Sequence, residues 1–96
     1  IAKQQLQIYV PNAFTPEGAE NKVWKPVSRW MNIYNYQLSV FTRKGEEMFN
    51  TNKTDVGWDG TFNGGKVPPD VYVYWLKYSN AFGDTYETRG TVTLVR

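Results

Sequence analysis

The sequence predicts an all-β fold, an immunoglobulin-like β-sandwich of about seven antiparallel strands. Three observations carry that reading. Short alternations of apolar and polar residues recur along the 96 residues, punctuated by turn signals roughly every 8–12 positions. No stretch sustains an apolar period of 3.6, so no helix is expected. The third observation is an abrupt switch: the glycine-punctuated segment Gly57-Trp58-Asp59-Gly60-Thr61-Phe62-Asn63-Gly64-Gly65 gives way to the β-branched and aromatic run Val71-Tyr72-Val73-Tyr74-Trp75. That is the pattern of a loop entering a central strand. A partly open barrel is the alternative architecture.

Gln5 to Val10 alternates cleanly, with Leu6, Ile8 and Val10 on one face, and stops at Pro11. Pro11 to Pro16 is held extended by its two prolines, and Phe14 is the side chain expected to turn inward. Glu17 to Lys22 is a polar loop. Val23 to Val27 reads as a short strand, and Ser28 to Asn32 as a connection that packs Trp30 or Met31 over an open edge. From Ile33 a stronger strand places Tyr34, Tyr36, Leu38 and Val40 on one face and Asn35, Gln37 and Ser39 on the other. Arg43-Lys44-Gly45-Glu46 is a tight turn, with Gly45 free to take positive φ, and returns the chain into Glu47 to Thr51.

Asn52 to Val56 is a second polar loop and leads to Trp58, an indole between glycines that is expected to plug the end of the core. Pro68-Pro69 cannot donate to a ladder, so the central strand begins at or after Asp70. Tyr72 then sits where an immunoglobulin-like sandwich carries its corner tyrosine. The Tyr72 to Tyr78 strand meets Asp84 to Val95 across the hairpin Ser79 to Gly83, with Val92 and Leu94 on one side. The expected core is Phe14, Leu38, Val40, Trp58, Tyr72 and Tyr74.

Ninety-six residues make one domain with a single core. No apolar run approaches the roughly 20 residues of a membrane helix and no leader opens the chain, so the piece is expected to be soluble. Histidine and cysteine are both absent. Their absence removes the usual general base near neutral pH, the thiolate nucleophile and the strong ligands for zinc or iron, so neither catalysis, a metal nor a cofactor is expected. The net charge of +2 is dispersed, with Arg43-Lys44 the one paired exception among otherwise mostly single cations, and no nucleic-acid partner is expected.

Asp55, Asp59 and Asp70 flank the central loop, but an Asp in a glycine-rich turn ordinarily accepts hydrogen bonds from nearby amides and does not form a catalytic pair. The glycines are not a phosphate cradle, since no Gly-Lys-Ser/Thr follows and no helix begins there. Asn52-Lys53-Thr54 fits a glycosylation triplet and marks an exposed loop. Trp24, Trp30 or Trp75, presented in a row on one sheet, could stack sugar rings, which makes a carbohydrate-binding module the competing function; a plain structural spacer is the third reading.

Val10-Pro11-Asn12-Ala13-Phe14-Thr15-Pro16, then Tyr36, Leu38, Val40-Phe41, Arg43, Gly45-Glu46 and Phe49, then Gly57-Trp58-Asp59-Gly60-Thr61 with Asn63-Gly64, then Val67-Pro68 with Val71 to Tyr74, and lastly Gly90 to Arg96 run in a familiar order. Together they resemble the gliding motility-associated C-terminal domain family, the type B sorting domain of the type IX secretion system of Bacteroidota. The resemblance spans about Ile8 to Arg96. It implies the C-terminal piece of a much larger secreted protein, whose N-terminal passenger is directed through the periplasm to the cell surface or medium. It also implies two partners, the shared translocon and an outer-membrane β-barrel of the PorP/SprF kind.

The sequence departs from the family at three places. Glu17 to Lys22 stands where the family has an Asn-Gly-Asp-Gly-like acidic loop, and Lys22 is a poor neighbour for calcium. Pro69-Asp70 replaces an Asp-Gly, and Lys44 replaces an aromatic. On this reading the folded surface is what a partner recognises. The candidate contacts are the turn Arg43, Lys44 and Gly45, the Trp58 loop, and the terminal strand Gly90, Thr91, Val92, Thr93, Leu94, Val95 and Arg96, which at a sheet edge would offer unpaired amides.

Overall fold

The destinations of the backbone amides set the architecture. A computed structural model of the chain describes residues 7–16, 23–29 and 33–96. The 17–22 loop and the connection carrying Trp30 and Met31 lie outside the described residues. Among those residues there are nine strand segments and no helix: β1 Gln7–Tyr9, β2 Ala13–Phe14, β3 Val27–Arg29, β4 Tyr34–Phe41, β5 Glu47–Thr51, β6 Thr61–Phe62, β7 Gly65–Lys66, β8 Asp70–Ser79 and β9 Thr85–Leu94. Five of them form one sheet in the order β2-β9-β8-β4-β5, while β1 pairs with β3 and β6 with β7. The fold is the all-β sandwich that the alternation predicts.

Period 2 puts the core on one face of the large sheet. Leu38 and Val40 on β4, Tyr72, Leu76 and Tyr78 on β8, and Val92 and Leu94 on β9 are all buried. Phe14, Trp24, Trp58 and Val67 close the same cluster, and Ile8 and Val10 pack against it. Tyr74 is half-buried, its ring 5.3 Å from that of Trp24. It lies over Gly90, its cross-strand neighbour, so closely that a Cβ there would meet the phenol ring at 2.7–2.8 Å.

Two prolines decide where the small strands fall. Position 11 has no amide hydrogen, so the pairing of β1 with β3 ends before it and the chain crosses to the other sheet. There β2 runs parallel to β9, with the Thr93 amide donating to Asn12 O at 2.9 Å and the Val95 amide to Phe14 O at 3.0 Å. Pro26 acts similarly. The strand expected at Val23 to Val27 is instead Val27–Arg29, and Trp24 makes only an isolated antiparallel bridge to Trp58.

That bridge is reciprocal: each tryptophan's amide donates to the other's carbonyl, at 2.7 and 2.8 Å. Gly57 permits the approach, because a Cβ there would lie 2.9 Å from Trp24 O. The Trp58 indole N–H donates to Thr61 O at 3.0 Å, and its ring meets Phe14 at 5.5 Å and Tyr72 edge-on at 5.1 Å. The Trp24 N–H donates to Pro11 O at 2.6 Å. Tyr72 makes the corner contact, its hydroxyl donating to Pro68 O at 2.6 Å.

Two local features differ from the sequence reading, and one buried group stands out. Tyr34 is 47% exposed, because the ladder between β4 and β8 shifts by one residue between Tyr34 and Gln37. Asn35 takes positive φ there, and the extra residue throws Tyr34 out of phase with Tyr36. The segment after Trp58 is not simply a loop: Asn63 and Gly64, both at positive φ, turn β6 into β7 as a two-residue hairpin. Tyr36, though buried, finds no hydrogen-bond partner for its hydroxyl. Burial pushes that phenol up from 10.0 to about 12.

Trp58→Ala is expected to cost roughly 3–5 kcal/mol, read as a lowered urea midpoint. Because folding raises the Tyr36 pKa, the neutral phenol's contribution is full below pH 10 and is lost as pH climbs toward about 12. Tyr36→Phe should therefore leave stability at pH 7 undiminished and soften its decline between pH 10 and 12, as measured by denaturation across that range.

Candidate functional site

With no histidine or cysteine, chemistry would have to come from carboxylates and phenols, and the structure disperses them. Asp59 Oδ1 accepts from the Thr61 amide at 3.1 Å and the Thr61 hydroxyl at 2.6 Å, holding the turn after Trp58. Asp70 Oδ1 accepts from the Val71 amide at 2.7 Å. Asp84 Oδ2 accepts from the Asn80 side-chain amide at 3.2 Å within the β8–β9 turn. Among the described residues no group of three His, Cys, Asp or Glu could hold a metal. The Tyr72 phenol is raised by burial and then by Asp70, with Arg96 acting in the opposite sense. These groups hold turns and strand ends in place.

The surface is therefore what remains to be read. At the β4–β5 turn, Gly45 has φ +97 and opens onto no neighbour, and Thr42 and Glu46 close the loop by a 2.8 Å backbone bond. Arg43 Nη2 lies 3.2 Å from Asp70 Oδ1, an exposed pair that ties the turn to the start of β8. Lys44 stands in solvent. Between this turn and Pro68 to Tyr72 runs an open groove of about 860 Å³.

The terminal segment is largely taken up within the domain, which corrects the expectation of an open edge along its length. Val92 and Leu94 are in the core, Gly90 is covered by the Tyr74 ring, and the amides of Thr93 and Val95 are given to the β2 segment. Arg96 reaches back over the Trp58 loop, donating from Nε to Val67 O and from Nη2 to Gly60 O, each at 2.8 Å. Thr91 and Val95 are the members of this set whose side chains are exposed without such a role.

The outer face of the large sheet carries Phe41, Val73 and Trp75, all half-buried. With Arg89 they line a shallow groove of about 350 Å³. The row of sugar-stacking indoles is not formed: Trp24 is only 1% exposed, Trp30 is outside the described residues, and Trp75 is half-buried with its N–H unpartnered. Sequence reasoning missed two features. Phe82, at the β8–β9 hairpin tip, is 63% exposed, and the part of β9 before Val92 is not flanked by β2. An aromatic beside Gly83 in a hairpin signals the first; nothing local signals the second.

The CHU_C type IX secretion signal domain family model matches residues 8–94. No curated protein matches the chain. The matched span takes in both tryptophans of the bridge, the β4–β5 turn and the whole of the large sheet.

Arg96 lies beyond that span and still clasps the loop, so the two arginines at this end of the domain should differ. Arg96→Ala is expected to cost about 1–3 kcal/mol through two lost charge-assisted bonds. Arg43→Ala is expected to cost no more than about 1 kcal/mol, since its partner is exposed. Thermal midpoints of the two variants check this.

Proposed function

The chain belongs to the CHU_C type IX secretion signal domain family, and we propose that it acts as the C-terminal sorting signal of a larger exported protein, read by its partners as a folded surface. The family match over residues 8–94 is the observation that carries this reading. A secretion signal of this class is not catalytic, and it implies interaction with the type IX machinery and export to the cell surface or medium. In the finer reading, the passenger lies N-terminal to this domain, crosses the periplasm, and is delivered when the domain docks on the translocon together with an outer-membrane β-barrel of the PorP/SprF kind.

Two structural facts support recognition by shape. Asp59, Asp70 and Asp84 are engaged in turns and strand ends, and the core is closed by the fully buried Trp58 and Trp24. What is presented outward is a turn with two cations, Arg43 and Lys44, an aromatic hairpin tip at Phe82, and the face carrying Trp75. With Trp24 buried, glycan stacking among the described residues would rest on Trp75 alone.

Fusing the 96-residue chain to the C-terminus of an inert, periplasm-directed reporter in a type IX-competent cell tests the proposal. The reporter should appear at the surface or in the medium, as judged by protease accessibility and by fractionation. A folded fusion that stays in the periplasm refutes sorting.

A further inference from the structure

The β8–β9 ladder shows which backbone groups of β9 are spent. At the hairpin end, the Asn80 amide donates to Asp84 O at 3.0 Å. At the other end, the Thr93 amide points away from β8 and donates to Asn12 O. The register between these ends is unbroken, from Asp70↔Leu94 to Ser79↔Thr85. In an antiparallel ladder bonded and non-bonded pairs alternate. Tyr86, Thr88, Gly90, Val92 and Leu94 therefore bond inward to β8, and Thr85, Glu87, Arg89 and Thr91 turn both their N–H and C=O groups outward. Only at Thr93 and Leu94 does β2 cover that edge, because Pro11 ends its approach. Among the described residues nothing pairs with the rest, and all four outward residues are exposed.

We infer that the β9 edge from Glu87 to Thr91 is a docking site for an extended segment of a partner protein, which adds there as a further strand of the large sheet. The inference rests on the sorting reading for the identity of that partner, a component of the export machinery. An extended chain is the occupant that fits, because the unmet groups are backbone donors and acceptors repeating every second residue, and only another strand presents the complementary repeat. The site continues a ladder already begun by β2 in parallel orientation. The edge is also lightly guarded: β9 contains no proline, lysine or bulge, and the charges on this stretch, Glu87 and Arg89, are of opposite sign and face each other. Its ion pair, Arg89 Nη2 to Glu87 Oε1 at 3.5 Å, lies on one face of the strand and leaves the backbone accessible.

The test has three arms. In amide hydrogen exchange on the isolated chain, Glu87, Arg89 and Thr91 should exchange rapidly while Thr88, Gly90 and Val92 are protected; protection of the first set overturns the inference. In the reporter fusion, Arg89→Pro and Thr91→Pro remove an outward N–H but no bond to β8, whereas Arg89→Thr keeps the amide and changes only the side chain. The proline variants, checked for folding by near-ultraviolet circular dichroism, should lower export roughly tenfold or more, and Arg89→Thr should export like the parent. Normal export of folded proline variants overturns the edge site and leaves sorting standing, while a parent fusion that is never exported overturns both. Finally, sedimentation should show a monomer; a dimer abolished by the proline substitutions would assign the edge to a second copy of this chain and overturn the partner strand.

Discussion

The reciprocal backbone bridge between Trp24 and Trp58 is the constraint on which the rest of the domain depends. It brings together two segments that belong to no long strand and sets both indoles against the inner face of the five-stranded sheet. A sheet with one apolar face must cover it with a second layer, and here β1, β3 and the β6–β7 hairpin are too short to do so alone. The indoles supply the missing area. Their N–H groups, which would be costly to bury unpaired, end on Thr61 O and Pro11 O. The absence of cysteine makes this packing, not a covalent staple, the tie between the layers.

From that tie follows the division of the surface. Tyr72 and Arg96 fasten the chain around the Trp58 loop, through Pro68, Val67 and Gly60. The end of the domain nearest the C-terminus is thereby occupied, and most of the terminal strand serves the fold. What stays open is the opposite stretch of the same strand, together with the β4–β5 turn and the β8–β9 tip. These are the places where outline, charge and free backbone are presented to solvent.

The alternation of β4 and β8, the glycine that opens the β4–β5 turn and the prolines that delay β8 were legible because each acts within a few residues. So was Trp58, bracketed by glycines. Tyr34 was misplaced because a one-residue bulge at Asn35 reverses the phase of everything before it, and no period-2 count senses a bulge. The alternative that offered Trp24 as a sugar-stacking indole fails for a different reason. A lone tryptophan in a short irregular segment has no period of its own, and its burial depends on a partner 34 positions away.

Composition and local pattern alone determined that this chain is all-β, contains neither histidine nor cysteine, and turns at Gly45 and before Asp70, because those properties belong to residue types and their immediate neighbours. Which edge of β9 is covered and which is left free was decided only by the tertiary structure. Strand neighbours are chosen by long-range packing, and a single proline at position 11, by ending one ladder and starting another, settled where β2 could reach.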